Sequence, residues 1–229
     1  MNRTLKIVVI GFFLAAPSLY FDCKMEADAQ VVPLYLQNKN YPIQTGLHAM
    51  YKTEHADVVM LGNSLTQWVD WNELLGRRNI ANRGIASDVT DGYLHRMEYI
   101  YKLTPTLCFI EGGINDIFAN VSVKTVFENY QKIVGGLRSH RVIPIMQSTL
   151  FVSPKWHDAV EKNKEVAELN ALLEKFAKAN AIEFIDLNTR MSENNTLRDE
   201  FTHDGVHLTA AGYKIWGEEV EKVLKHHNQ

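Results

Sequence analysis

Two short stretches hold the residue types that nucleophilic acyl transfer requires. The first is Gly62-Asn63-Ser64-Leu65-Thr66, where a serine stands just past the apolar run Val58 to Leu61. The second is Thr202-His203-Asp204-Gly205-Val206-His207-Leu208-Thr209, near the carboxyl end. A serine hydroxyl is too weakly acidic to attack alone, so it needs a base beside it and a group that orients that base. His207 and Asp204 suit those parts. A carboxylate three residues before a histidine in a turn can reach one ring nitrogen and leave the other facing Ser64. Plainer readings stand beside this one. Asn63 and Ser64 could simply turn the chain and cap the next helix, and His203 with His207 could be a metal pair or two surface histidines. Against the metal, an i, i+4 histidine pair binds zinc from a helix, whereas Gly205 makes this stretch a loop.

The elements that must position these residues begin with five short apolar runs. Val58 to Leu61, Asn79 to Asn82, Thr106 to Ile110, Arg141 to Met146 and Ile182 to Leu187 read as strands buried on both faces. Helical spacing links Leu65, Trp68, Trp71, Leu74 and Leu75 after Ser64, and predicts further helices over Val89 to Leu103, Val123 to Ser139, Lys162 to Asn180 and Ala210 to about Lys225. Gln30 to Thr53, broken by Pro33, Pro42 and Gly46, reads as a wrapping segment with a short helix near His48 to Thr53. Strands that alternate with helices predict a parallel sheet covered on both sides. Its carboxyl edge would carry the loops after Leu61, Asn82, Ile110 and Met146, and open α/β sheets bind ligands at that edge. Three of those loops are rich in Gly, Asn or Ser. Within them Glu111 is expected to be a buried partner for Arg83, and Asp116 to fix its loop by accepting backbone donors. Trp156, His157, Phe151 and Tyr93 are candidates for the substrate rim, although packing is the commoner role of such aromatics.

At 229 residues and 46% apolar content, the chain can bury one substantial core. A net charge of -3 with scattered basic residues excludes a nucleic-acid partner recruited by bulk electrostatics. Arg3 and Lys6, the apolar run Ile7 to Ala16, and Ala27-Asp28-Ala29 before Gln30 predict an export signal over residues 1–29, leaving one domain over 30–229. A membrane span is the alternative, but Ile7 to Phe21 contains Pro17 and Ser18 and falls short of the roughly 20 residues that a bilayer core needs. A lipid anchor at Cys23 is a further option, yet Tyr20-Phe21-Asp22 lacks the small residues of a lipoprotein signal. Cleavage would leave no stable membrane span and place the mature chain in the periplasm or the medium. It would also leave Cys108 alone, within an apolar run where a thiol acts as a small hydrophobe, so an exported domain without disulfides must rely on its core.

Four blocks in this order, Gly-Asn-Ser-Leu-Thr at 62–66, Asn-Arg-Gly-Ile-Ala-Ser-Asp at 82–88, Gly-Gly-Ile-Asn-Asp at 112–116 and Asp-Gly-Val-His-Leu at 204–208, resemble the SGNH hydrolases, also called the GDSL esterase/lipase family. Within it the chain is similar to platelet-activating-factor acetylhydrolase and lysophospholipase-type esterases. The resemblance implies a flavodoxin-like three-layer α/β/α sandwich of the α/β class with a five-stranded parallel sheet. It implies Ser64 as nucleophile, His207 as general base and Asp204 as the orienting carboxylate. It also implies an oxyanion site made by the backbone N–H groups of Ser64 and Ser87 and the side chain of Asn115. Two positions depart from the family pattern: Asn63 stands where an aspartate is usual, keeping the acceptor oxygen without the charge, and Ser87 stands where a glycine is usual. The function implied is an exported serine esterase acting on short, acetyl-type esters of small molecules or glycans, needing no metal or organic cofactor. The competing reading is a binding module that keeps the fold without turnover; a full set of nucleophile, base, orienter and donors argues against it.

Overall fold

A computed structural model of the chain describes residues 32–228. The expected export signal and its cleavage site lie outside the described residues. Five strands, β1 (Val58–Gly62), β2 (Ile80–Gly84), β3 (Leu107–Ile110), β4 (Ile143–Gln147) and β5 (Glu183–Ile185), pair in the order β2-β1-β3-β4-β5, and every pairing is parallel. All residues of β1 and β3 are buried, which is why these strands read as continuous apolar runs rather than as alternating patterns.

Helices in chain order are α1 (Leu34–Gln37), α2 (Asn40–Met50), α3 (Ser64–Gln67), α4 (Trp71–Leu75), α5 (Thr90–Leu94), α6 (Glu98–Tyr101), α7 (Ile114–Phe118), α8 (Val123–Ser139), α9 (Ala159–Ala179), α10 (Asn188–Met191) and α11 (Ala210–His226). A hairpin of β6 (Ser192–Glu193) and β7 (Thr196–Leu197) precedes α11. The chain leaves β1 in one direction to form β2, then crosses back to β3, β4 and β5. Right-handed crossovers therefore put α4 on one face of the sheet and α5, α8 and α9 on the other. Contacts agree, with α5 against α8, α8 against α9, and α11 against α4. The result is the expected three-layer α/β/α sandwich. On α8, Val126, Tyr130, Ile133 and Leu137 are wholly buried, and each such side chain is worth about 1.5–3 kcal/mol of transfer free energy.

Three helices differ from the spacing pattern. The helix expected near His48 to Thr53 is α2, which starts earlier, at Asn40, because Pro42 falls in its first turn, where a missing N–H costs nothing. The helix after Ser64 divides into α3 and α4 at Asp70, whose side chain accepts from Asn72 N and Glu73 N. Val89 to Leu103 divides into α5 and α6. Between them Arg96 N bonds to Tyr93 O and Tyr99 N to Arg96 O, tight turns that let the Arg96 side chain enter the core.

Candidate active site

Strand order places the site. Parallel sheets with this order reverse direction between β1 and β3, and the crevice beyond the carboxyl ends of those strands is where such folds hold ligands. Ser64 follows β1, Asn115 follows β3, and Ser87 follows β2 on the other side of β1. Ser64 is the first residue of α3, and the opening N–H groups of a helix have no intrahelical acceptor. Asn63 caps that helix, its Oδ1 accepting from Leu65 N at 2.8 Å. The helix sits so close to β2 that a Cβ on Gly84 would lie 2.4 Å from Gln67 N, so only glycine fits there. Gly62 likewise acts through space, since a Cβ would lie 1.9 Å from Thr66 Oγ1.

A hydrogen-bonded chain joins the two distant motifs. Ser64 Oγ lies 3.0 Å from His207 Nε2, and His207 Nδ1 lies 2.6 Å from Asp204 Oδ2. The other carboxylate oxygen, Asp204 Oδ1, accepts from Val206 N at 2.9 Å and His207 N at 2.8 Å. Gly205, at φ +102°, makes this turn possible. Thr202 Oγ1 closes it, accepting from Gly205 N and donating to His207 O. Partial burial works to raise the Asp204 carboxyl, but the hydrogen bonds from the His207 ring and from the Val206 and His207 amides prevail and hold it down at about 2. Asp204 is thus charged across the neutral range and fixes which ring nitrogen of His207 carries the proton. His203 is exposed and reaches the same carboxylate only at 4.0 Å.

Asn115 Nδ2 donates to Asp88 O at 2.9 Å, which ties the third loop to the second and leaves its other N–H available. Ser87 is exposed and sits at φ +60°, in the left-handed region that glycine enters without cost. Asp116 holds its loop as expected, accepting from Thr90 N and Thr90 Oγ1. Burial pushes its carboxyl up to about 7 against those same bonds.

The expected pair of Glu111 and Arg83 does not form. Arg83 donates to Asn82 O and Tyr99 O, while both Glu111 carboxyl oxygens are buried without a protein hydrogen-bond partner among the described residues. Burial pushes Glu111 up to about 8. Tyr93 and Phe151 are core residues rather than rim, whereas Trp156 is half-buried and His157 exposed.

Two residues outside the expected set shape the site. Arg96, 1% exposed, pairs with Asp88 Oδ2 at 2.8 Å and donates to Arg83 O and Gly62 O, binding the ends of β1 and β2 to the Ser87 loop. Burial raises the Asp88 carboxyl to about 6 despite that arginine. Trp68, four residues after Ser64 and so on the same helical face, stacks on the His207 ring at 4.0 Å between centroids. That i, i+4 spacing was the available sequence signal for Trp68; Arg96 offered none beyond a charge on an apolar helix face.

Two groups of described side chains bring three cation-ligating atoms together: His203, Asp204 and His207, and Glu183, His226 and His227. In the first, both ring nitrogens of His207 already face Asp204 and Ser64. The second borders a cavity of about 710 Å³ at the starts of β4 and β5, the edge of the sheet opposite Ser64.

The sequence model of the GDSL-like lipase/acylhydrolase family matches residues 59–215. Among solved structures, a GDSL-like lipase from Bacteroides thetaiotaomicron is 26% identical, with TM-score 0.72 over 82% of this chain and 98% of that one. A lipase/acylhydrolase from Enterococcus faecalis (22% identity, TM-score 0.63, 75% and 96% covered) and an acetyl xylan esterase (19%, 0.62, 73% and 98%) share the fold. A curated relative, the N-acylneuraminate cytidylyltransferase of Streptococcus agalactiae, is 29% identical over 104 residues, 45% of this chain. The match spans only 24% of that relative's length.

Proposed function

The chain belongs to the GDSL-like lipase/acylhydrolase family, and from that premise we propose that it is an exported serine esterase that removes short acyl groups, acetyl above all, from glycan or small-molecule esters. One observation carries the catalytic reading: Ser64, His207 and Asp204 stand in a continuous hydrogen-bonded chain of 3.0 and 2.6 Å, although the serine and the other two come from opposite ends of the domain. His207 Nε2 takes the Ser64 proton as Oγ attacks the acyl carbon. The oxyanion that forms is held by the N–H groups of Ser64 and Ser87 and by Asn115 Nδ2. Collapse of the intermediate expels the alcohol, which collects its proton from His207. Water, deprotonated by the same imidazole, then attacks the acyl-Ser64 ester and releases the acid.

The acyl and alcohol parts rest on other support. An acetyl xylan esterase shares the fold, and a relative bears the name of an enzyme of N-acylneuraminate, so acylated sugars recur around this chain. The basic-apolar-small pattern of residues 1–29 supports export. A panel of acetyl, butyryl and octanoyl nitrophenyl esters beside O-acetylated sugars tests the specificity. Preference for acetyl esters is the expected result; preference for octanoyl would reassign the enzyme to lipids.

A further inference from the structure

A cavity of about 690 Å³ opens beside the catalytic turn and has no part in the chemistry above. Its walls come from three places: Trp156 and Asp158 in the loop after β4, Glu161 and Lys164 in the first turns of α9, and Asn195 and Thr196 at the β6–β7 hairpin. The Trp156 loop is packed directly on the turn that holds Asp204 and His207. Ser153 N donates to Gly205 O at 2.9 Å, and a Cβ on Gly205 would lie 2.8 Å from Trp156 N. On its other side Trp156 stacks on Phe118 at 4.6 Å, and Phe118 ends the helix that carries Asn115. The Trp156 backbone thus packs on the catalytic turn, while its indole packs on Phe118 and lies 4.9 Å from the His157 ring.

Position gives this cavity its meaning. In acyl transfer the departing alcohol is protonated by the histidine, so the alcohol part of an ester bound at Ser64 lies on the His207 side. Lining chemistry gives its class. The half-buried Trp156 indole offers apolar C–H surface on the cavity wall for a sugar ring, and the Asn195 amide, Thr196 hydroxyl, two carboxylates and one ammonium supply donors and acceptors for hydroxyl groups. Asn194 and Asn195 sit at φ +50° and +57°, the tight hairpin geometry that favours asparagine. Asp158 and Glu161 outnumber Lys164, which disfavours an anionic glycan. The volume is well beyond what an acetyl group needs and lies in the range of oligosaccharide-sized ligands.

We propose that this cavity is a subsite for the neutral oligosaccharide part of an O-acetylated glycan, a proposal that rests on the esterase reading of Ser64. The test compares kcat/KM for an acetylated xylo-oligosaccharide with kcat/KM for p-nitrophenyl acetate, in the parent, Trp156→Ala and Asn195→Gly, the last keeping the hairpin conformation. Each variant is expected to lower the ratio by about tenfold, mainly through KM. In Ser64→Ala, calorimetry with the deacetylated xylo-oligosaccharide should show binding that Trp156→Ala weakens. A parent active on p-nitrophenyl acetate whose ratio is unchanged in both variants, or one that prefers an acetylated uronic-acid oligosaccharide, overturns the subsite alone. A parent inactive on both esters overturns the esterase reading and the subsite with it.

Discussion

Asp204 binds His207 twice: Oδ2 faces the ring Nδ1 at 2.6 Å while Oδ1 accepts from the backbone N–H of the same residue at 2.8 Å. One carboxylate therefore fixes both where the imidazole sits and which tautomer it adopts, and the turn Asp-Gly-Val-His is a local device for aiming Nε2 at Ser64.

Asp204→Asn separates those two tasks. The amide oxygen can still accept from the backbone, but an NH2 group facing Nδ1 favours the wrong tautomer, so kcat should fall by about ten-thousand-fold with little change in KM. His203→Ala, which leaves both bonds intact, should cost no more than a few-fold. Because Asp204 is held at about 2, its own ionisation should leave the parent's kcat/KM unaffected across the neutral range. A greater loss in His203→Ala than in Asp204→Asn would contradict the assignment.

The proposed oxyanion donors make opposite predictions at two positions. Asn115→Ala removes a side-chain donor and should lower kcat by about 10²–10³-fold. Ser87→Gly keeps the backbone N–H and relaxes a residue held at φ +60°, so kcat should stay within a few-fold. Steady-state kinetics on one acetyl ester suffices. Equal losses at both positions would mean that the Ser87 hydroxyl, rather than its amide, acts.

Much of this was legible in the sequence, for identifiable reasons. Strands covered on both faces must be apolar throughout, so β1 and β3 stood out, and residues that converge from separate loops left four compact blocks. What escaped depends on where side chains turn in three dimensions. The pattern Tyr93, Met97 and Ile100 suits a continuous helix, but Arg96 enters the core to reach Asp88 and two carbonyls, and the helix breaks. Arg83 and Glu111 look complementary in the sequence, yet backbone carbonyls take up Arg83.

That unpaired carboxyl has a consequence for stability. Glu111 is raised by burial to about 8 from an ordinary 4.5, so between those values the folded protein keeps a proton that the unfolded chain has released. Stability from this group is complete below pH 4.5 and drains away as pH rises to 8. Asp88 and Asp116 act with the same sign, but their raised values of about 6 and 7 confine them to lower pH. Between pH 7 and 8 the melting temperature of the parent should therefore fall more than that of Glu111→Gln, whose neutral amide resembles the protonated acid. Parallel curves over that interval would show that Glu111 is not protonated in the fold.

The central claim is that Ser64 Oγ forms a covalent bond to the acyl carbon, and its most direct test is trapping with a fluorophosphonate followed by peptide mapping. The parent should carry the label on Ser64 and lose ester hydrolysis in proportion to labelling. Ser64→Ala should fold with an unchanged melting temperature, take no label and lose hydrolysis by about 10³-fold or more. Label on another residue, or hydrolysis that survives in Ser64→Ala at near the parent's rate, would contradict the account.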